Sequence, residues 1–433
     1  MSEILISGAT ALTLDSQNSI IEDCDIRISR DRIVMMGRNL ARPSPSDSST
    51  VIDARGKVVL PGFVNAHTHA SMTLFRGYAD DLPLAEWLET RIWPAEARLT
   101  KEDVYWGALL SCIEMIRSGI TTFADQYFFM DQVAEAVKLS GMRAALSRGL
   151  IGIAPGSDAS LDEGSELCAT WHRAANDRIT TMLGPHAIYT CPPDYLEKVI
   201  ERARQLNVGL HIHVSETQKE VRECIEKYGK SPVAILDDIG LFEVPTLAAH
   251  VVHVSQDDME ILARNHVGVA HNPTSNLKLA SGIAPVPEML ERGISVGIGT
   301  DGAASNNNLD MVEEMRLAAL IHKAASGDPT VIPAFTSLRM AITYGAMALG
   351  LGHEIGSIEP GKKADLIIFD TDRPHMHPEH DIISHLVYSA HADDVSTVII
   401  NGEVVMKERK ILTLDEKEIL REVDRRAKRL ISP

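Results

Sequence analysis

Eight short apolar runs recur through the middle of this chain, at residues 58–66, 120–124, 142–146, 179–183, 208–212, 246–252, 267–270 and 294–299. Runs this continuously apolar suit strands buried on both faces, as in a parallel sheet covered by helices. Helix signals fill the gaps. Thr100 can cap a helix that stops by Gly119, Ser231-Pro232 opens another that stops near Gly240, and Ser255 and Pro287 open two more. Eight such repeats predict an α/β fold, a TIM-like (β/α)8 barrel. A doubly wound open sheet is the competing architecture, and it leaves the next observation unexplained.

Polar residues collect at the downstream ends of the runs: His67 and His69, Asp125, Arg148, His186, His213, His250, His271 and Asp301. Barrel enzymes build their active sites at that edge. Any one of these is most simply a satisfied core or rim side chain. Their joint placement is what argues for a site.

Both chain ends have a different texture. Residues 4–6, 25–28, 32–35 and 51–53 read as short strands, and the pattern returns at 364–369 and 398–402 with an Asn401-Gly402 turn. The expected organisation is a small composite β-sandwich domain from residues 1–59 and 361–411, and a catalytic barrel over 60–360. A charged C-terminal surface helix follows within 412–433, and Ser44 to Thr50 reads as a polar loop. A chain of 433 residues has room for both domains.

The net charge of -18, without a basic patch, disfavours nucleic acid as a partner. No stretch of about 18 apolar residues points to a membrane. The first twenty residues carry no secretory pattern, so the cytoplasm is the expected location. The cysteines, Cys24, Cys112, Cys168, Cys191 and Cys224, are dispersed and odd in number, which suits buried thiols rather than disulfides.

His67-Thr68-His69 closes the first run, and residues two apart on a strand point the same way. His213 ends the fifth run and Asp301 follows the eighth, so a closed barrel delivers three imidazoles and a carboxylate to one mouth. That set suits one divalent metal ion per subunit, zinc first, with Fe²⁺, Mn²⁺ or Ni²⁺ as alternatives. The fourth run ends Gly184-Pro185-His186, with no lysine to bridge a second ion, and there is no Pro-Cys-x-x-Cys motif. His375-Met376-His377 repeats the spacing beyond the barrel and reads as surface.

At the level of motifs the chain resembles the amidohydrolase superfamily, and within it the methylthioadenosine/S-adenosylhomocysteine deaminases. The resemblance rests on Pro61-Gly62-Phe63-Val64-Asn65-Ala66-His67-Thr68-His69, Trp93-Pro94-Ala95-Glu96, Gly184-Pro185-His186 and His211-Ile212-His213-Val214-Ser215-Glu216-Thr217. Gly299-Thr300-Asp301-Gly302-Ala303-Ala304-Ser305 and Gly356-Ser357-Ile358-Glu359-Pro360-Gly361 extend it. It implies hydrolytic removal of the adenine 6-amino group from adenosine-type nucleosides, namely adenosine, 5′-deoxyadenosine, methylthioadenosine or S-adenosylhomocysteine. By the same resemblance Glu96 binds the ribose hydroxyls, His186 and Arg148 face the ligand, and Glu216 addresses the purine.

Such a reaction needs an activated water and a proton for the ring. A divalent ion lowers the pKa of its water from about 16 to about 7. Asp301 can take that proton and pass it to the leaving amine, Glu216 can protonate a ring nitrogen, and His250 can orient the water. Glu216 has a second reading, as a helix N-terminal residue behind a Ser215 cap. Glu96 has one too, as a solvated loop carboxylate with Trp87 and Trp93 packing nearby, although a carboxylate beside aromatic surface also suits a nucleoside.

Two other functions share the same ion. One is action on a free base or chloro-triazine, as in a guanine or cytosine deaminase or a chlorohydrolase, where no ribose diol would engage Glu96. The other is a barrel without catalysis, which the full ligand set argues against. A small-molecule nucleoside is the expected partner, with a homo-oligomer possible.

Overall fold

The computed structural model describes residues 3–42 and 49–431. Eight parallel strands form the barrel: β1 (Phe63–Thr68), β2 (Ile120–Tyr127), β3 (Arg143–Leu150), β4 (Ile179–Pro185), β5 (Gly209–Val214), β6 (Thr246–His250), β7 (Gly268–His271) and β8 (Val296–Ile298). They pair in chain order. The seam between β8 and β1 is joined by Asp301 N–H donating to His67 O at 3.0 Å and by Asn65 Nδ2 donating to Thr300 Oγ1 at 2.8 Å. Nearly every strand residue is buried, which is why the runs read as unbroken apolar segments.

The helix starts follow their caps. Thr100 and Ser255 each form a capping box with the aspartate three residues on, Asp103 and Asp258, and Ser231 accepts from Ala234 N. Pro287 lies in the first turn of helix Val286–Glu291.

Both chain ends build one nine-stranded sheet, in which Lys57–Pro61 bridges Glu3–Leu12 and Leu366–Asp370. Ile6, Ile26, Ile33, Val59, Leu366 and Ile399 share one core, so the sheet encloses its own apolar interior. The run 58–66 is therefore two strands in two sheets. The break falls at Gly62, where a Cβ would collide with the Thr121 side chain, and the strand Lys57–Pro61 carries the sheet past residue 59. Of the polar loop expected at Ser44 to Thr50, Ser49 and Thr50 open the strand Ser49–Asp53, and 44–48 lie outside the described residues.

Arg143 on β3 ties barrel to sheet, with Nε donating to Asp365 Oδ2 at 2.7 Å and Nη2 to Asp365 Oδ1 at 3.1 Å. The C-terminal helix Glu416–Ile431 is not purely a surface element. Ile419, Val423, Arg426 and Leu430 form one buried stripe, and Arg426 pairs with Asp103 at 3.1 Å on the helix Lys101–Arg117.

Candidate active site

Four imidazoles and one carboxylate meet at the C-terminal mouth of the barrel. His67 and His69 come from β1, His213 from the end of β5, His250 from the end of β6 and Asp301 from just past β8. Gly299 lets β8 approach, since a Cβ there would press on His67 N and Asn272 Oδ1. His250 and Asp301 both adopt left-handed backbone, with φ of 72° and 59°. Such conformations are uncommon for residues with side chains and collect where side chains must be aimed.

Each imidazole is held at Nδ1. His69 Nδ1–H donates to Gln126 O at 2.6 Å and His213 Nδ1–H to His186 O at 2.8 Å. His67 Nδ1 meets His211 Nε2 at 2.8 Å, and His250 Nδ1 meets Asn276 Oδ1 at 2.8 Å. A carbonyl only accepts, so the Nε2 atoms of His69 and His213 are lone-pair donors. They face each other at 3.4 Å, an arrangement with no proton to share. His67 Nε2, wholly buried, has no hydrogen-bond partner. Asp301 Oδ1 lies 3.3 Å from His69 Nε2 and 3.5 Å from His67 Nε2. Orphaned lone pairs converging on a carboxylate, each imidazole braced from behind, are the chemistry of a divalent-cation site.

The two carboxyl groups at this mouth are pushed in opposite directions. Burial works to raise Asp301, but His67, His69 and His250 overcome it and hold the carboxyl well below its ordinary value. Its Oδ2 also accepts from Ser275 Oγ at 2.6 Å and Ser305 Oγ at 3.0 Å. Glu216 is raised by burial, with Asp301 adding to the rise. Its Oε1 accepts from Ser281 Oγ at 3.2 Å, and Oε2 stands 4.0 Å from His250 Nε2. Burial lowers His186 to about 3, which keeps this ring neutral.

A cavity of about 740 Å³, including its open mouth, sits on this cluster and is lined by His69, Trp87, Glu96, His186, Glu216 and Asp301. Glu96 accepts from Tyr127 OH at 2.7 Å, and burial pushes its carboxyl up to about 7. Trp87 Nε1 is tied to Ala79 O at 2.9 Å, so its ring is a fixed wall.

Three sequence expectations change. Arg148 does not line this cavity: its Nε donates to Glu163 Oε2 at 3.0 Å, in a separate cavity behind Phe128. The helix after β5 is capped by Thr217, not Ser215, so Glu216 precedes the helix rather than opening it. His375 is half-buried rather than surface, and it bonds Asp394 Oδ2 at 2.7 Å instead of joining His377. That aspartate also accepts from His391 N at 2.8 Å and faces Arg373 Nε at 3.9 Å. Sequence reasoning missed His211, Gln126, Tyr127 and Ser281. His211 was findable, because it lies two residues before His213 and so shares its inward face.

A family model described as the amidohydrolase family matches residues 58–405. The chain belongs to that family. Among its relatives this amidohydrolase is 54% identical over 432 residues to the 5-methylthioadenosine/S-adenosylhomocysteine deaminase of Pelotomaculum thermopropionicum, covering 100% of each chain. It is 51% identical to the 5′-deoxyadenosine deaminase of Methanosarcina mazei, covering 100% of this chain and 99% of the other. Among solved structures it superposes with a TM-score of 0.94 and 36% identity on an adenosine deaminase from Xanthomonas campestris with bound zinc, covering 99% and 98% of the two chains. Among the described residues no helix is long and apolar enough to cross a membrane.

Proposed function

We propose that this amidohydrolase is an adenosine-type deaminase, in which water replaces the adenine 6-amino group and ammonia leaves. The observation that carries the chemistry is a pair of carboxyl groups at one cluster of imidazole lone pairs, Asp301 3.3 Å from His69 Nε2 and lowered by the histidines around it, Glu216 4.0 Å from His250 Nε2 and raised by burial. Two such groups divide base and acid roles between them. The names of the close relatives carry the substrate class.

His67, His69, His213 and Asp301 are the proposed ligands of one divalent ion, zinc by analogy with the bacterial adenosine deaminase. Such an ion supplies Lewis-acid activation of water at neutral pH. Asp301 takes the water proton and later hands it to the departing amine. Glu216 donates to a ring nitrogen as C6 is attacked, and so offsets the charge developing on the purine. His250, braced by Asn276, orients the incoming oxygen.

His186, kept neutral by burial and bonded through Nδ1 to Thr190 Oγ1 at 2.9 Å, presents its other nitrogen to the purine. Glu96 receives the ribose hydroxyls and Trp87 walls the sugar. Arg148 is left out of the contact set by its bond to Glu163. A carboxylate at Glu96 has no task with a free base or a chloro-triazine, which is why the nucleoside reading is preferred.

Ammonia release from adenosine, 5′-deoxyadenosine and methylthioadenosine, with adenine, guanine and cytosine as controls, tests the proposal. Turnover of the nucleosides alone is the expected result. Turnover of a free base at an equal kcat/KM would overturn it.

A further inference from the structure

Among the described residues one further trio of metal-binding side chains lies outside the barrel mouth: His375, His391 and Asp394, with one donor atom from each within 4.8 Å of the others. His375 is half of the His375-Met376-His377 spacing that the mouth leaves unused. It follows the sheet strand Leu366–Asp370, and His391 and Asp394 stand just before that strand's antiparallel neighbour, Val395–Ile400. The Val395 side chain packs against Gly119, the residue before β2, so the trio sits at the end of the barrel opposite the mouth.

The three donors are turned toward one another. His375 Nε2 lies 2.7 Å from Asp394 Oδ2, and the His375 and His391 rings stack with centroids 4.4 Å apart. The His391 ring accepts from the Asp394 N–H, so one of its lone pairs points at the aspartate. That N–H also donates to His391 O at 3.0 Å, so the ring nitrogen can leave it without orphaning the donor. Asp394 is buried, His375 is half-buried and His391 is exposed, which leaves one side open to solvent. The neighbouring cations each hold another carboxylate: Arg373 Nη2 is 3.1 Å from Asp370 Oδ2, and Arg409 pairs with Asp393.

We propose that His375, His391 and Asp394 form a second divalent-metal site, structural rather than catalytic, that takes zinc or a similar ion such as Ni²⁺ or Cu²⁺. Two imidazoles and a carboxylate are the donor set these ions prefer, and water completes the shell from the open side. Donors about 2.1 Å from a tetrahedral zinc stand about 3.4 Å apart, so small rotations of the two imidazoles close the trio around it. The ion takes the place of the proton between His375 Nε2 and Asp394 Oδ2, and that ring then carries its proton on Nδ1. Bound there, it clips the base of the connection from 375 to 391. That connection carries the helix Ile382–Tyr388, which is held to the barrel helix Met311–Ser326 by Arg316 Nε donating to Val387 O at 3.2 Å. Closing such a loop stabilises the fold by limiting the freedom of the unfolded chain.

The test adds zinc to enzyme that already carries one equivalent, with a chromogenic chelator reporting the free ion and thermal unfolding reporting stability. The parent should take up a second equivalent, more weakly than the first, and its Tm should rise as it does so. His391→Ala, at an exposed position, and His375→Gln should each bind that equivalent at least about 10²-fold more weakly, roughly the share of one ligand in a four-ligand zinc site. Both variants should lose the rise in Tm while keeping the first equivalent and the parent's kcat, because the trio is remote from the mouth. A parent that takes up nothing beyond the first equivalent overturns the inference. So does a second equivalent held with unchanged affinity by either variant, which would put the ion on other histidines of this stretch, His377, His380 or His385.

Discussion

His211 Nε2 lies 2.8 Å from His67 Nδ1, so one buried imidazole fixes the orientation of another. The relay continues from His211 Nδ1 to Ser147 Oγ at 3.2 Å, and Ser147 donates to Asp125 O at 2.8 Å. With its Nδ1–H given to His211, His67 has only Nε2 left to face the mouth. His211→Phe should keep the fold but weaken metal binding by about 10–100-fold, the usual effect of removing a ligand's bracing partner. Metal content after dialysis against a graded chelator measures this. Full retention of metal and activity would reduce the relay to packing.

Glu216→Gln keeps the shape of the proposed acid and removes its proton. Because Glu216 lies outside the groups proposed to hold the ion, metal content should be unchanged while kcat falls by about 10²-fold or more. Loss of metal in this variant would show that Glu216 helps build the ion site instead.

The barrel's strand order and the contents of its mouth are legible in the sequence because strands buried on both faces leave continuous apolar runs, and each ends where a polar residue must face the opening. The first run misleads, because the sheet strand Lys57–Pro61 and β1 are equally apolar and only the packing of Gly62 against Thr121 marks the corner. Arg148 misleads for a different reason. Its backbone position at the end of β3 follows from the pattern, but its side chain is decided by Glu163, which lies on the following helix, Ser157–Trp171. Tyr127 escapes notice because its partner Glu96 is distant in sequence.

Arg143 and Asp365 are each 2% exposed, and the guanidinium spends Nη1 on Asp177 O at 3.0 Å and Nη2 on Asn401 Oδ1 at 3.1 Å as well as on the carboxylate. Removing one partner leaves a buried charge uncompensated. Asp365→Ala should therefore cost about 3–5 kcal/mol in denaturant unfolding of the metal-loaded protein. Replacing both residues by apolar ones of similar volume should recover most of that loss. An Asp365→Ala protein as stable as the parent would mean that the junction is held by its backbone bonds alone.

The last prediction concerns Glu96, whose carboxyl is raised by burial to about 7 although its hydrogen bond from Tyr127 works to lower it. The ionised form is the one that accepts two ribose hydroxyls in addition to the tyrosine. Above about pH 7 it is present, and as pH falls through 7 the group gains a proton and its capacity to accept declines. The KM for a ribonucleoside should accordingly rise on the acid side, with kcat/KM falling as pH drops through 7 and levelling off where Glu96 is uncharged. Glu96→Gln cannot titrate, so its kcat/KM should be lower at pH 8, by about 10-fold or more for the lost charge-assisted bonds, and should lack this acid limb. A 2′,3′-dideoxy nucleoside has no diol to present, so the parent enzyme should show the limb with adenosine and not with that analogue. An acid limb that persists in Glu96→Gln, or that appears equally with the dideoxy compound, would place the titrating group elsewhere and remove Glu96 from the sugar.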